Sequence, residues 1–207
     1  PCSHHGKTPP CVDAIIKSGI RKVVYAVSDP NPAAAGGADR LRAAGIEVES
    51  GIGEVQARLE NRAWLTKMEL GRPRITWKIA STMDGKIATS DGSSKWITGE
   101  LARTDVAHMR SQFDAIITST ATVIADDPLM TSKGFGKNPV RIVMGTNEIN
   151  AGAQIMDGSA ETILIKSQNF KDLIALANKR GFNQVLIESG PTFGTAILRE
   201  DLIDEIV

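Results

Sequence analysis

Two cysteines, Cys2 and Cys11, are the residues whose type and spacing point most directly to chemistry. Thiolates are soft ligands that suit zinc, and in a reducing compartment a cysteine pair more often binds metal or performs redox chemistry. A disulfide closing so short a loop would add little stability, so metal binding is favoured over a disulfide by roughly two to one. Cys11 leads directly into an apolar helical pattern that starts at Val12, and a helix N-terminus favours a thiolate.

The segment Gly-Pro-Thr-Phe-Gly at residues 190–194 is a second candidate, for binding an anion. It lies between a predicted strand and a predicted helix. A glycine-bearing turn of this kind aims backbone N–H groups and the positive end of a helix dipole at a phosphate. The second half of the chain lacks the G-x-G-x-x-G dinucleotide fingerprint. Glycine at such a turn is as often present for its geometry alone.

Several isolated side chains could contact a ligand, and each also has an ordinary structural explanation. Thr122 could reach a phosphate or sugar and Asp126 could accept from a ribose or an amide, although such residues commonly cap helices and turns. Ser94 and Trp96 offer a hydroxyl and an aromatic face, but a buried tryptophan is more often part of a core. Arg110 could grip a phosphate in bidentate fashion, whereas an arginine on a helix usually faces solvent.

The elements that must position these residues alternate between strands and helices. The break at Gly-Arg-Pro, residues 71–73, predicts a domain boundary, with domains at residues 1–71 and 72–207. We predict strands at residues 22–27, 46–49, 75–80, 115–118, 140–144, 162–165, 185–188 and 203–207. We predict helices at 12–17, through Leu41, at 54–68, at 101–112 with Thr98 as N-cap, at 170–179 and at 191–199. This alternation indicates an α/β fold with a mostly parallel sheet covered on both faces.

The composition disfavours several classes of partner. Lys plus Arg and Asp plus Glu each total 24 of 207 residues, so the net charge is zero and nothing favours nucleic acid or an anionic membrane. No apolar run approaches the roughly 20 residues that span a bilayer, and residues 1–6 do not resemble a signal peptide. We therefore expect a cytoplasmic protein with a small-molecule substrate. Trp64 and Met68 could pack against either domain or a second copy, so a homo-oligomer stays open. Both ends of the chain look cut.

The first domain resembles the deaminase domain of the bifunctional riboflavin biosynthesis proteins. The resemblance lies in Pro-Cys-Ser-His-His-Gly-Lys-Thr-Pro-Pro-Cys at residues 1–11 and in Asp-Pro-Asn-Pro at residues 29–32. It implies a cytidine-deaminase-like fold in which Cys2 and Cys11 bind zinc while His4 and Lys7 face a phosphoribosyl substrate. In that family the third ligand and the proton-shuttling glutamate lie upstream, in a His-Ala-Glu motif. No His-x-Glu occurs here, so we expect an empty or frayed zinc site and no deamination by this chain.

The second domain resembles the reductase half of the same family over nearly all of residues 73–207. The matching motifs follow the family's order: Lys-Ile-Ala-Ser at 78–81, Asp-Gly-Lys at 84–86, Ser-x-Trp-Ile-Thr at 94–98, Arg110, the run 121–128, and Glu-Ser-Gly-Pro-Thr at 188–192. That half has a dihydrofolate-reductase-like fold. The resemblance implies that the substrate is held by Ser94, Arg110, Met130, Lys133 and Glu188. It implies that NADPH is held by Ala80, Trp96, Thr122, Asp126, Thr146, Gly190, Pro191, Thr192, Phe193, Gly194, Thr195 and Ala196.

Two positions depart from the family's pattern. Lys133 stands where an arginine is expected, and a lysine neutralises a phosphate as a point charge without bidentate geometry. Thr146 stands where a serine is usual, which preserves the hydroxyl. We hypothesise that Arg110 and Lys133 clamp the substrate phosphate.

The resemblance implies two successive reactions: zinc-dependent hydrolytic deamination of a phosphoribosylaminopyrimidine, then NADPH-dependent reduction of its ribosyl group to ribityl. Three alternatives stay open. A folate-type NADPH reductase would share the second fold but would not explain the cysteines. A deaminase acting on nucleic acid would prefer closer cysteines and a basic groove. A non-enzymatic scaffold stapled by zinc would need only the cysteine pair.

Overall fold

The computed structural model describes residues 1–90, 94 and 97–207. The chain forms two compact units, Pro1–Gly71 and Arg72–Val207. The first unit ends at Gly71, which follows its last helix and whose φ of 67° lies in the left-handed region that glycine adopts without strain. Each unit has its own sheet and is described separately.

The first unit is a small α/β arrangement around two parallel strands. Its elements, in chain order, are α1 (Cys11–Lys17), β1 (Lys22–Tyr25), α2 (Gly37–Ala43), β2 (Glu47–Ser50), α3 (Glu54–Glu60) and α4 (Arg62–Leu70). Strand β1 pairs with β2 in parallel. Val12, Leu41 and Ile46 form its buried core. Ile15, Val23 and Val48 are partly buried against these three side chains. The cluster is smaller than those of the second unit, so the first unit gains less from hydrophobic burial.

The single helix predicted over residues 54–68 is wrong: the structure has α3 and α4, separated at Asn61. The Asn61 side chain donates a hydrogen bond to the carbonyl oxygen of Ala57, at 2.8 Å. Asparagine side chains compete in this way for backbone groups and so interrupt helices. The apolar spacing continued across Asn61, which is why the pattern predicted one helix.

The second unit is built on a six-stranded sheet. Its elements are β3 (Arg74–Trp77), α5 (Glu100–Arg110), β4 (Ala115–Ser119), α6 (Thr120–Asp126), β5 (Val140–Met144), a 3-10 turn (Gln154–Met156), β6 (Thr162–Ile165), α7 (Phe170–Lys179), β7 (Gln184–Ile187), α8 (Pro191–Arg199) and β8 (Glu205–Ile206). The strand order is β6-β5-β4-β7-β3-β8. Each described pairing in this sheet is parallel, which confirms the predicted topology.

The two faces of this sheet carry separate apolar cores. Alternate residues of the central strands point to opposite faces, so Ile117 and Ile187 join one cluster while Ile116 and Leu186 join the other. Leu173 of α7 and Ile197 of α8 complete the first cluster. Val123 of α6 and Ile155 of the 3-10 turn complete the second. Each fully buried Leu or Ile contributes about 1.5–3 kcal/mol to folding. Helices on both faces confirm the layer arrangement expected from the sequence.

Two local expectations in this unit fail. Helix α6 was not predicted: the run 121–128 contains few large apolar residues, but the Ser119 hydroxyl caps the helix by accepting from the Thr122 N–H at 3.1 Å. Thr98 is not the N-cap of α5. Gly99 is the N-cap and the helix begins at Glu100, one residue before the predicted start, while the Thr98 carbonyl oxygen accepts from Arg103.

The parallel topology decides where ligand-binding groups can gather. The carboxyl ends of β3, β4, β5, β6 and β7 share one edge of the sheet, called here the carboxyl edge. In open α/β sheets, ligands bind in the crevice along this edge. Among the described residues, no helix is both long and apolar enough to cross a membrane.

Candidate functional site

A buried carboxylate with two cations stands at the end of β7. Glu188 directly follows that strand and is only 8% exposed. Arg110, the last residue of α5, donates from Nε to Oε1 at 2.6 Å and from Nη2 to Oε2 at 2.8 Å. The Lys78 ammonium lies 3.8 Å from Oε2. One carboxylate between two cations leaves a net positive charge, which favours an anionic ligand.

The sheet register explains why these groups meet. Ile187 of β7 pairs with Ile117 on one side and with Trp77 on the other. The residues that follow, Thr118 and Lys78, therefore flank Glu188 on the same face of the sheet. The Thr118 hydroxyl is fully buried and, within the described part of the chain, has no hydrogen-bond partner. Three neighbouring strands thus place a hydroxyl, a carboxylate and an ammonium side by side.

The Arg110–Glu188 pair fixes the charges of both groups. Burial alone would raise the pKa of Glu188, but the hydrogen bonds and charge of Arg110, with the charge of Lys78, hold that pKa below its ordinary value. Burial likewise disfavours the charged guanidinium, and pairing with Glu188 nevertheless raises the pKa of Arg110. Glu188 is therefore an acceptor with a full negative charge at neutral pH, and it carries no proton to donate.

A backbone loop beside this pair is held in an unusual conformation. Asp127, Met130 and Lys133 have φ of 40°, 53° and 49°, in the left-handed region that costs non-glycine residues energy. Met130 is 4% exposed and packs in the sheet core, so it can face a ligand mainly through its backbone. Lys133 is exposed. The loop thus presents an exposed lysine side chain on a strained backbone.

Three hydrogen bonds hold this loop in place. Arg110 Nη1 donates to the Thr131 carbonyl oxygen at 3.1 Å, so the arginine that grips Glu188 also anchors the loop. Arg141, which is fully buried, donates from Nη1 to the Leu129 carbonyl oxygen at 3.1 Å. The Asp127 carboxylate accepts from the Gln154 backbone N–H at 2.8 Å. These partners supply the constraint that strained backbone requires.

Three hydroxyls meet where β4 and β7 end. The oxygens of Ser119, Thr122 and Ser189 lie 3.0 Å apart in each of the three pairs. The Gly190 N–H donates to the Thr122 hydroxyl at 3.3 Å. Hydroxyls can both donate and accept, so this cluster can adapt to phosphate or sugar oxygens. The cluster places Thr122, a predicted NADPH residue, beside the start of α8.

The two glycines that bracket the start of α8 serve different purposes. A Cβ placed on Gly190 would meet no atom within 4 Å, so open space lies beside the first turn of the helix. The first-turn N–H groups of Thr192 and Phe193 have no partner within a helix and can face an anion. A Cβ placed on Gly194 would instead lie 2.0 Å from the Trp77 ring. Gly194 is therefore required by packing between α8 and β3.

The other predicted residues of the second unit are dispersed along the carboxyl edge. The Ser94 hydroxyl donates to Asp126 at 3.3 Å, which joins a predicted substrate residue to a predicted NADPH residue. Ala80 follows β3 and is half-buried, and Thr146 follows β5 and is exposed. Trp96 lies outside the described residues. The role assigned to each of these residues stays a prediction.

The cysteine pair lies in the first unit. Cys2 and Cys11 are free thiols whose sulfur atoms are 3.4 Å apart, and His4 and Lys7 lie in the exposed loop between them. The Cys11 backbone N–H, 3.4 Å from the Cys2 sulfur, lowers the pKa of the Cys2 thiol. A thiolate at this position suits a soft metal ion. No third His, Cys, Asp or Glu in the described residues completes a metal-binding group. The donor set therefore fits only half of a zinc site.

Sequence reasoning missed several residues of the site. Lys78 and Ser189 were noted only within motifs, and the pattern gave Ser119, Thr118 and Arg141 no role. The sequence did contain one signal: polar residues repeatedly follow buried strands, and the ends of parallel strands meet at one edge. The pairing of Arg110 with Glu188 joins residues 78 positions apart, and it depends on α5 ending beside β7, which the sequence pattern does not indicate.

Comparison with known sequences agrees with this geometry. The family model described as the RibD C-terminal domain matches residues 73–207. A riboflavin biosynthesis protein RibD of Mycobacterium tuberculosis is 42% identical over 213 residues, which span all of this chain and 62% of that protein. RibD of Escherichia coli is 36% identical, over all of this chain and 67% of that protein. The chain spans about two thirds or less of the curated relatives that it matches along its whole length.

Solved structures give the same result. A Thermotoga maritima deaminase/reductase, named for diaminohydroxyphosphoribosylaminopyrimidine and 5-amino-6-(5-phosphoribosylamino)uracil, superposes with a TM-score of 0.85 at 34% identity. It covers 97% of this chain, which covers 62% of it. Acinetobacter baumannii RibD superposes with a TM-score of 0.85 at 37% identity, over 100% of this chain and 65% of that one. The expected α/β fold class, with its dihydrofolate-reductase-like unit, is confirmed. On its sequence, its sheet topology and these matches, the chain belongs to the RibD family of riboflavin biosynthesis proteins.

Proposed function

We propose that residues 72–207 form an NADPH-dependent reductase of riboflavin biosynthesis, which reduces the ribosyl group of a phosphoribosylaminopyrimidine to ribityl. The observation that carries the proposal is the charged cluster of Arg110, Glu188 and Lys78. It lies on the same sheet edge as the hydroxyls of Ser119, Thr122 and Ser189, at the end of a neighbouring strand. A charged, buried site beside an anion-binding helix start suits a phosphorylated substrate next to a phosphorylated cofactor.

NADPH fits the hydroxyl cluster and the start of α8. The open space at Gly190 allows a phosphate to approach the backbone closely. The hydroxyls of the nearby cluster can form hydrogen bonds with the phosphate oxygens. When bound, NADPH supplies the hydride of the reduction. Thr122, Asp126, Thr146 and the stretch 190–196 are the residues that we assign to it, with Gly194 acting through its packing on Trp77.

The substrate is held by the neighbouring cluster. Glu188 accepts hydrogen bonds from substrate hydroxyl or amino groups, because its carboxylate stays ionised at neutral pH. Three of the five N–H groups of the Arg110 guanidinium donate to Glu188 and to the Thr131 carbonyl oxygen. The other two N–H groups can donate to a phosphate oxygen. Lys133 supplies a second positive charge from the strained loop. Ser94 and Met130 complete the predicted substrate contacts.

For residues 1–71 we propose the C-terminal part of a zinc deaminase domain, in which Cys2 and Cys11 are two of the zinc ligands and His4 and Lys7 face the substrate. The close sulfur atoms and the lowered pKa of the Cys2 thiol support this assignment. We derive no deamination step, because the described residues supply no third ligand. We further propose that the protein works in the cytoplasm.

The reductase is tested by following NADPH oxidation by the full chain with 5-amino-6-(5-phosphoribosylamino)uracil, and separately with dihydrofolate. We expect oxidation only with the pyrimidine. The Glu188→Gln variant should lose this activity while retaining NADPH binding. The matched variant Glu161→Gln changes a surface carboxylate paired with Arg180 and should keep it. Oxidation with dihydrofolate and none with the pyrimidine would establish the folate-type alternative instead.

A further inference from the structure

A fully buried arginine connects the loop of residues 127–133, called here the strained loop, to the sheet. Arg141 is the second residue of β5, and its side chain is 0% exposed. Its Nη1 donates to the Leu129 carbonyl oxygen at 3.1 Å. The next residue is Met130, whose φ of 53° lies in the left-handed region. Arg141 therefore holds the backbone directly before the first predicted substrate residue of the strained loop.

The other donors of this guanidinium bind the segment that leads into β6. Nε donates to the Thr162 hydroxyl at 2.9 Å, Nη2 to the Ala160 carbonyl oxygen at 2.7 Å, and Nη1 also to the Asp157 carboxylate at 3.0 Å. Asp157 neutralises the buried charge. A buried guanidinium without these partners would be strongly unfavourable, so Arg141 fixes the strained loop relative to β5 and β6.

A glutamine holds the first residue of the strained loop. Gln154 opens the 3-10 turn, and its backbone N–H donates to the Asp127 carboxylate at 2.8 Å. Its side-chain Nε2 donates to the Asp127 carbonyl oxygen at 2.9 Å, and Asp127 has φ of 40°. The Thr162 hydroxyl, which accepts from Arg141, donates to the Ile155 carbonyl oxygen at 2.7 Å. The two anchors therefore belong to one hydrogen-bonded network.

The strained loop needs these anchors because its backbone is unfavourable by itself. Left-handed φ values cost energy in residues that carry a Cβ, so a loop that lost an anchor would relax toward ordinary conformations. Relaxation would displace Met130 and Lys133, which we assign to the substrate. A ligand that binds only one conformation has an apparent affinity reduced by the fraction of molecules that adopt it. Substrate affinity should therefore depend on the anchors.

We propose that Arg141 and Gln154 are positioning residues of the reductase, which hold the strained loop in the conformation that binds the substrate. The inference rests on the proposed reductase function. Arg141 is fully buried and the Gln154 amide donates to Asp127, so both act through the loop backbone. The residues assigned to NADPH on α8 belong to a different element. Loss of either anchor should therefore weaken substrate binding more than dinucleotide binding.

The test measures steady-state reduction of 5-amino-6-(5-phosphoribosylamino)uracil by the full chain with NADPH. Arg141→Lys keeps the buried charge but lacks the fork that reaches several acceptors, and Gln154→Ala changes an exposed side chain, so both should fold. Each should raise KM for the pyrimidine by about 10-fold, because the anchored fraction of the loop falls. Each should change kcat and KM for NADPH by less than about threefold.

Two matched variants control for the loss of an arginine and of a glutamine contact. Arg72→Lys weakens a half-buried arginine that donates to Asp204 at 2.7 and 2.9 Å, before β3 begins. Gln56→Ala removes a glutamine that donates to Glu60 at 2.6 Å in α3. Arg72→Lys should lower the melting temperature, and both controls should leave KM for the pyrimidine unchanged.

Amide hydrogen exchange distinguishes positioning from a general loss of stability. Arg141→Lys and Gln154→Ala should speed exchange within residues 127–137, while α7 and β7 keep the protection of the wild type. Exchange that rises equally throughout the second unit would show that the changed residue only stabilises the fold, and so overturns its positioning role. An unchanged KM for the pyrimidine in both variants overturns the inference and leaves the reductase proposal intact. A wild-type chain that does not reduce the pyrimidine overturns both.

Discussion

At the scale of single residues, the buried Glu188 carboxylate determines the charge of the site. Its desolvation is offset by two hydrogen bonds from Arg110 and by the nearby Lys78 ammonium. Removing one member of such a pair leaves an uncompensated buried charge, whereas removing both removes the need for compensation. The contribution of the pair to stability is therefore measured best by changing the partners separately and together.

Arg110→Met should lower the free energy of unfolding by about 3–5 kcal/mol, because Glu188 then stays buried with only Lys78 nearby. Adding Glu188→Gln should recover about 1–3 kcal/mol of that loss. Urea unfolding of the single and double variants measures both values. Strictly additive losses would show that the two side chains are not energetically coupled.

In kinetics, Arg110→Ala should raise KM for the phosphorylated substrate strongly, and an unchanged KM would contradict its role at the phosphate.

The lowered pKa of Glu188 predicts a pH dependence of stability. The ordinary glutamate pKa is 4.5, and the folded-state value lies below it. The stabilisation from the ionised carboxylate is therefore complete above about pH 4.5 and is lost as pH falls through the folded-state pKa. The difference in unfolding free energy between wild type and Glu188→Gln should shrink over this acid range. Glu100→Gln, at an exposed position, controls for the loss of a surface charge; a wild-type difference that stays constant with pH contradicts the assignment.

The residue types of this site were predictable, and their partners were not. Arg110 and Glu188 were both expected near the substrate, from the family's motif order. Their direct pairing depends on α5 ending beside β7, which neither helical nor strand periodicity encodes. The same holds for Thr118 and Lys78, which flank Glu188 only because β4 and β3 are its sheet neighbours.

At the scale of elements, α8 shows how one motif combines two requirements. The Gly-Pro-Thr-Phe-Gly sequence predicted a phosphate-binding turn, and both glycines fitted that interpretation. The structure separates them, because Gly190 borders open space while Gly194 lies against the Trp77 ring. Proline at the first helical position fixes the start of the helix between them.

We therefore expect Gly190→Ala to weaken NADPH binding and Gly194→Ala to lower the stability of the fold. Gly190→Ala should change the melting temperature little, because φ there is −61° and the added methyl group meets no atom, but it should weaken NADPH binding by obstructing the first turn. Gly194→Ala should destabilise the fold by about 1–3 kcal/mol or more, since Trp77 must move. Thermal unfolding and NADPH titration distinguish them. Equal stability of the two variants would show that the Trp77 contact does not constrain α8.

Element boundaries were predictable where local signals agreed with tertiary packing. Helix α7 was predicted residue for residue: Asn169 caps its start and Gly181 follows its end, and Leu173 and Ala177, four apart, face the core. The long helix over α3 and α4 was wrong because Asn61 overrides an intact apolar spacing. Helix α6 escaped prediction because its cap, Ser119, also ends a strand.

At the scale of the whole molecule, the chain divides its chemistry between its two units. The cysteine motif identified the family most clearly from sequence, yet its unit presents only two of the ligands that zinc needs. The second unit carries the charged cluster and the hydroxyls on one sheet edge. Each of its motifs was weak evidence for a site, because each residue type also caps helices, packs in cores or faces solvent in many proteins. Their shared position along the carboxyl edge is what indicates a single ligand-binding site.

Metal content and reductase activity should therefore be independent. Two thiolates without a third ligand hold zinc weakly, so the dialysed full chain should contain well below one zinc per molecule. A chelator should leave the NADPH-dependent reduction unchanged, because the residues assigned to it are carboxylate, cationic and hydroxyl groups that pair with one another. Elemental analysis and NADPH oxidation before and after chelation test both points. Stoichiometric zinc would show that a further ligand completes the cysteine site, and a parallel loss of metal and reduction would show that the two units depend on each other.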